Sequence, residues 1–188
     1  MTEEVMEQTQ FEPKFAKEWK KNPMKKPKLK ALIVNTCVGE SGPRYERSKE
    51  ILRQITNREP VDRQAKESIR GFNIRKGEPI ASLVTLRGDE AGKALKRFLY
   101  AYDYEIKHSS FDEQGNFAFG ITEHVDIEDA PFDPMLGTIG FNVVVKIERA
   151  GYRLKYRQRK RQSIPKKHLI SPEEAMEYLV TEFGMKII

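Results

Sequence analysis

Apolar residues recur along the 188-residue chain with two periods, and the segments they mark alternate between strand and helix. Leu29 to Val38 is apolar on both parities through Ala31, Leu32, Ile33 and Val34, interrupted by Asn35 and Thr36, which predicts a strand. The run Gly39-Glu40-Ser41-Gly42-Pro43 predicts a turn. A helix follows from Arg44 to Thr56, with Tyr45, Ile51, Leu52 and Ile55 on one face and Asn57 as its end. Glu59 to Glu78 is polar, apolar only at Val61, Ile69, Phe72 and Ile74, and reads as a short strand leading into a long exposed loop. Ile80 to Leu86 returns to strand. Asp89 is a candidate N-cap for a helix carrying Leu95, Phe98, Leu99 and Tyr102 at helical spacing.

Beyond a polar turn at Asp112 to Asn116, Phe117 to Ile121 predicts a short strand, Glu123 to Asp133 an acidic loop, and Ile139 to Glu148 a strand with Phe141, Val143, Val145 and Ile147 on one face. Ser171-Pro172-Glu173-Glu174 places Ser at an N-cap, Pro at the first helical position and Glu at the third, and opens a helix with Ala175, Met176, Leu179 and Val180. The expected fold is α+β: an antiparallel-rich sheet with helices packed on one face, long functional loops and a basic extended segment. Residues 1–21 read as an N-terminal extension that sets Phe11, Phe15 and Trp19 four residues apart, and 22–188 as a single domain. An ordinary amphipathic segment packed on its own domain is the plainer account of that spacing.

Composition narrows the class. With 38% apolar and 33% charged residues and no apolar run near the roughly 18 residues of a spanning helix, no integral membrane protein or membrane partner is expected. Met1 to Gln10 carries three glutamates and no apolar core, unlike a secretory signal, so the cytoplasm is the expected compartment. One cysteine, Cys37, and three histidines make a disulfide framework or a Cys/His zinc site implausible. The formal charge of +6 hides a strong segregation. Arg149 to His168 holds nine Lys/Arg and no acid, Lys20 to Lys30 six lysines and no acid, and the other 157 residues carry a net charge of −9. A field of one sign on this scale attracts polyanions through counterion release. Tyr152, Leu154 and Tyr156 interleave the longer stretch, so the tyrosines are candidate stacking planes among phosphate-binding arginines. The plainer reading is a solubilising basic run.

Candidate catalytic chemistry is thin. His108, Ser109, Ser110 and Asp112 are residue types of a nucleophilic triad, but adjacency in one turn points them apart rather than together. His124, Asp126, Glu128, Asp129 and Asp133 lack the alternation and turn glycine of a calcium loop, so a solvated acidic loop or a patch for a basic protein is expected there. Gly39 and Gly42 before a helix have the form of a phosphate-cradling nest without the Lys-Ser/Thr of a P-loop. More informative is Arg70-Gly71-Phe72-Asn73-Ile74-Arg75-Lys76-Gly77, in which two apolar side chains sit among three cations between glycines. Two readings stand: Phe72 and Ile74 meet folded RNA while the cations take phosphates, or they anchor the loop to its own core.

The chain also resembles the fifth protein family of the large ribosomal subunit, the 5S-rRNA-binding family, in its archaeal and eukaryotic form. The resemblance is carried by Asn22-Pro23-Met24, Val34-Asn35-x-x-Val38-Gly39-Glu40-Ser41, Gly71 to Ile80, Val84-Thr85-Leu86-Arg87-Gly88, Ser109-Ser110-Phe111-Asp112, Gly115-Asn116-Phe117 and Ile164-Pro165-Lys166-Lys167-His168, in order over about residues 22–188. It implies a structural constituent of the large subunit, without catalytic residues, metal or cofactor. Its partners would be 5S rRNA, large-subunit rRNA, P-site tRNA, neighbouring 5S-binding ribosomal proteins and a small-subunit ribosomal protein, and its place the central protuberance of the cytoplasmic ribosome.

Residue by residue, the resemblance implies 5S rRNA contacts at Asn35, Thr36, Gly39, Thr85 and Arg87, and a tRNA-contact loop from Arg70 to Gly77. Combined with the charge segregation, the resemblance predicts rRNA phosphate contacts at Lys25, Lys26, Lys28, Arg153, Lys155, Arg157, Arg159, Lys160, Arg161, Lys166 and Lys167. It implies an intersubunit bridge at Glu123, Asp126, Glu128, Asp129 and Asp133, a segment whose −5 charge suits a basic partner. Asn57-Arg58-Glu59-Pro60 departs from the Gly-Gln-Lys-Pro type turn common in relatives, Cys37 stands where Met or Gly is frequent, and residues 1–21 lie outside the resemblance. Two rivals of other classes are an RNA-processing enzyme, which needs a carboxylate cluster holding metal in a cleft, and a regulatory module that binds acidic protein partners through its basic stretch.

Overall fold

In a computed structural model describing residues 14–128 and 130–188, the apolar segments assemble one five-stranded antiparallel sheet. The strands are β1 (Lys28–Cys37), β2 (Val61–Gln64), β3 (Pro79–Leu86), β5 (Phe117–Ile121) and β6 (Phe141–Glu148), in the order β2-β3-β1-β6-β5. A small parallel pair joins β4 (Glu105–Ile106) to β7 (Lys186–Ile187). The main helices are α2 (Pro43–Thr56), α3 (Asp89–Tyr100) and α5 (Pro172–Phe183), with short α1 (Ala16–Lys21) and the single turn α4 (Arg153–Tyr156).

Register explains which face is covered. Leu32 pairs with Leu86 and Val145, and Val34 with Val84 and Val143, so these side chains share one face of the sheet, where α2 and α3 close over them. Phe117, Phe119, Ile121, Phe141 and Ile147 extend that layer to the far edge, and Leu52, Ile55, Leu95, Phe98 and Leu99 answer it from the helices. Each such side chain fully buried is worth roughly 1.5–3 kcal/mol. The expected α+β architecture with helices on one face is therefore what forms.

Local signals set the helix ends. Ser171 accepts a hydrogen bond from the Glu174 amide, with Pro172 in the first turn, as expected. Asn57 closes α2 in the left-handed conformation at φ 50°, where a short polar side chain is tolerated. At α3 the expectation is corrected: Gly88 occupies the N-cap position, and Asp89 is the first helical residue with no capping bond, its charge meeting the helix dipole instead. Tyr102 lies beyond α3, in the turns after its end, with its hydroxyl on the Gly120 carbonyl.

Of the aromatic trio near the N-terminus, Phe11 lies outside the described residues. Trp19 is buried edge-on to Tyr178 and donates Nε1–H to Glu174 at 3.0 Å. The Glu177 carboxylate accepts the Phe15 and Ala16 amides at 2.8–3.0 Å, satisfying donors at the start of α1 from another element. This short helix thus lies on α5.

Candidate nucleic-acid interface

Among the described residues, α2 and α3 cover only the first face of the sheet, and the other face meets just the single turn α4 at one end. Strand alternation puts Ile33, Asn35 and Cys37 of β1 there beside Ala81, Leu83 and Thr85 of β3, with Val61 and Arg63 of β2 on one flank and Asn142, Val144 and Lys146 of β6 on the other. Ala118 and Gly120 complete it on β5. Ile33, Asn35 and Leu83 are half-buried, and Cys37, Thr85, Asn142 and Val144 exposed. This face mixes apolar, amide and hydroxyl groups on a rigid platform, a chemistry suited to folded RNA rather than to a hidden core. Asn35, Thr85 and, just past the strand, exposed Arg87 lie together on β1 and β3.

Thr36 is a correction. Its register partner is Ser82 on the covered face, it is 3% exposed, and its hydroxyl donates to the Gly140 carbonyl at 3.3 Å. The one-residue parity of a strand separates it from Asn35, so its side chain has no access to a ligand on the open face.

Gly39 and Gly42 stand in the turn between β1 and α2 at φ 79° and 123°, conformations that favour glycine. Ser41, between them, donates to Glu78, whose carboxylate also accepts the Arg75 amide at 2.8 Å. These hydrogen bonds hold the Glu78 carboxyl below its ordinary pKa. The turn is thereby tied to the base of the Arg70–Gly77 loop by a carboxylate. Ala65 and Gly77–Glu78 close that base with backbone bonds of 2.8 and 2.9 Å. At the tip, Ile69 and Ile74 exchange backbone bonds, and Asn73 turns the chain in the left-handed conformation. The two readings of the loop divide between residues: Ile74 is half-buried, whereas Phe72 stands 72% exposed among exposed Arg70, Arg75 and Lys76.

The basic stretch is not simply extended. It leaves β6, forms α4 and doubles back, with Gln162 N donating to the Leu154 carbonyl, before reaching α5. Arg153, Arg159, Lys160, Arg161, Lys166 and Lys167 are exposed, Lys155 and Arg157 half-buried. Arg149 is withdrawn from solvent altogether: its guanidinium pairs with Glu174, their side chains 7% and 4% exposed, and it donates to the His168 and Leu169 carbonyls at 3.3 Å. Tyr152, expected to offer a stacking plane, is 5% exposed, and its hydroxyl accepts the Ile170 amide; burial raises its pKa. A ring needed to close the base of a loop has no face left to stack. Tyr156 is half exposed, with its hydroxyl donating to Glu148 and accepting from Lys146.

Lys25 and Lys26 pair with Glu18 and Glu182 at the surface, exposed contacts that a phosphate can displace, and Lys28 is exposed at the start of β1. In the acidic segment Glu123, Asp126 and Glu128 are exposed, and Asp133 is half-buried, its carboxylate accepting the Met135 amide. Asp129 lies outside the described residues. The buried His124 accepts the Ile139 amide and so serves the loop, while Val125, Phe132 and Met135 project among the acids, Met135 at 84% exposure. Among the described residues no His/Cys/Asp/Glu group has the arrangement of a metal site.

Residues 22–75 match the family model for ribosomal protein L5, and residues 79–187 match the model for the C-terminus of the same ribosomal family. The chain belongs to the uL5 family. The large ribosomal subunit protein uL5 of Aeropyrum pernix is 44% identical over 172 residues, 91% of this chain and 90% of the relative. Its counterpart in Sulfurisphaera tokodaii is 45% identical over 168 residues, 89% and 95% respectively, and that of Nitrosopumilus maritimus 41% over 88% and 96%. The uL5 proteins are structural, non-enzymatic constituents of the large subunit of the cytoplasmic ribosome. Neither Leu83 nor Val144 is singled out by the sequence pattern, and Ile33 counts there only within an apolar run; register places all three on this face.

Proposed function

We propose that this uL5-family chain binds 5S rRNA through the open face of its sheet and helps to attach it in the central protuberance of the large subunit. Asn35, Thr85 and Arg87, with the Gly39 turn beside them, supply the specific contacts, and the exposed cations of the basic loop, with Lys25, Lys26 and Lys28, neutralise rRNA phosphates. The observation that carries this reading is the sheet face itself, free of α2 and α3 yet half apolar, lying next to a loop that carries eight Lys/Arg between residues 150 and 168 and no acid. The Arg70–Gly77 loop, with Phe72 at its tip, reaches P-site tRNA. The acidic segment around Glu123, Asp126, Glu128 and Asp133 meets a basic small-subunit protein, with Phe132 and Met135 as apolar anchors.

The test is binding of the purified chain to 5S rRNA across a salt series, with tRNA and an unrelated RNA duplex as competitors. The expected result is 5S rRNA binding that survives competition, with log affinity falling linearly in log salt. Equal competition by all three RNAs overturns the 5S assignment. An Arg75→Ala/Lys76→Ala variant is expected to keep its 5S rRNA affinity and lose its hold on tRNA in assembled subunits.

A further inference from the structure

The end of β6 holds a cluster that RNA binding through exposed cations does not itself require. Lys146 and Glu148 alternate onto the open-face side of the strand, opposite Ala31 and Lys28 of β1. Tyr156 of α4 folds back over them: its hydroxyl donates to the Glu148 carboxylate at 2.7 Å and accepts from Lys146 Nζ at 2.7 Å, while Lys146 lies 4.5 Å from the ring centroid and 3.0 Å from Glu148. Glu148 is only 6% exposed as a result. Burial works to lower the Lys146 pKa, but the bonds from Tyr156 and Glu148 outweigh it and hold the ammonium above its ordinary value. A carboxylate buried here is an odd choice on a polyanion-binding surface, because it cancels a cation and repels phosphate.

The rest of the loop base is tied as firmly. Arg149 joins Glu174 and two carbonyls, His168 Nε2 meets the Ala150 carbonyl at 2.9 Å, and the Tyr152 hydroxyl accepts the Ile170 amide at 3.2 Å. Residues 149–170 thus form a loop whose two ends are cross-linked by buried and half-buried polar contacts, while its outer cations remain free to face a ligand.

We propose that the basic segment is closed before RNA arrives, and that Tyr156, through Glu148 and Lys146, is the positioning residue that seats it against the open sheet face, so that loop and sheet present one continuous surface to RNA. This rests on the reading of that face as the 5S rRNA site. Pre-closure removes the ordering cost that an arginine-rich segment otherwise meets on binding, without adding a contact.

Three substitutions separate positioning from its rivals. Tyr156→Phe keeps the ring and loses the hydroxyl bridge; Tyr156→Leu loses both; Glu148→Gln removes a negative charge from the surface. If Tyr156 only stacks on a base, the Phe variant binds 5S rRNA like the wild type and only the Leu variant fails. If only net charge matters, Glu148→Gln binds more tightly. Positioning differs from both: the Phe and Leu variants lose a similar roughly five- to tenfold in affinity, Glu148→Gln weakens binding instead of tightening it, and the slope of log affinity on log salt stays near that of the wild type because the phosphate contacts still form.

Hydrogen exchange on the free chains supplies a readout without RNA. Amides of 150–168 are expected to be protected in the wild type and to exchange faster in Tyr156→Phe, with α2 and α3 unchanged, which also reports that the variant folds. Unprotected exchange across 150–168 in the wild type, or wild-type affinity of Tyr156→Phe, overturns the proposal. Failure of the wild-type chain to select 5S rRNA overturns the site assignment instead, and leaves the exchange result to judge pre-closure by itself.

Discussion

At the scale of single residues, the local sequence predicts what a residue prefers and tertiary pairing decides what it does. Arg149 is the clearest case. It begins the most basic stretch of the chain and, judged by its neighbours, belongs with the phosphate-binding cations, yet it is committed to Glu174, 25 positions away. Nothing in the surrounding sequence marks that pairing, because the partner lies on another element. Glu174 in turn accepts Trp19, so one carboxylate of α5 joins α1 to the first residue past β6. Arg149→Met leaves that carboxylate buried and without its cation, and breaking such a pair costs about 3–5 kcal/mol. Urea denaturation is expected to show a loss of this size. The double variant Arg149→Met/Glu174→Leu, which removes both charges, should recover part of it, since an apolar pair needs no desolvation of ions, while the Trp19 indole N–H left without its acceptor retains about 1–3 kcal/mol of the loss. A double variant no more stable than the single one would assign the loss to something other than the orphaned carboxylate.

Elements were legible where their pattern is self-contained. The capping residues of α5 and the alternation of β5 are local, and both formed where the periodicity places them. What sequence could not supply is the parity of β1 relative to its covering helices. Asn35 and Thr36 are adjacent polar residues in an apolar run, and only the register with β3 sends one to the open face and the other beneath α2 and α3. The edge strand β2 was similarly faint, since its four residues are all exposed and carry no core signal. Its attachment is instead polar: Asp62 accepts the Tyr45 hydroxyl at 2.7 Å and pairs with Lys49 of α2 at 2.7 Å. Those two partners, Lys49 first, lower the Asp62 pKa, while burial and the same contact raise that of Tyr45. A carboxyl whose folded pKa is depressed contributes stability that is fully present above its unfolded pKa of about 4 and is lost as pH falls through the lower folded value. Asp62→Asn is therefore expected to be less stable than the wild type at pH 7 and to lose less between pH 5 and pH 2, a difference that thermal melts across that range would reveal. Parallel stability curves for the two chains would exclude the linkage.

For the whole molecule, charge segregation and sheet exposure describe two different contributions to RNA binding, and they separate in one experiment. The exposed cations Arg159, Lys160 and Arg161 lie at the outer end of the basic loop, and no ion pair among the described residues involves them. Cations of this kind act on phosphates by counterion release, which depends on salt and not on sequence. Asn35 and Thr85 offer an amide and a hydroxyl from a rigid sheet, which depend on the shape and groups of the ligand and not on salt. Replacing the three cations by Gln should lower affinity for every RNA and reduce the salt slope by about one unit for each phosphate no longer neutralised. Asn35→Ala/Thr85→Val should leave that slope unchanged and lower 5S rRNA affinity alone, bringing it toward that of an unrelated duplex. The two sets are far enough apart in kind that their effects on log affinity should add. If instead the loop variant lost selectivity and the sheet variant lost salt dependence, the roles would be exchanged, and the sheet face would be a phosphate platform with the basic loop reading the fold of the RNA.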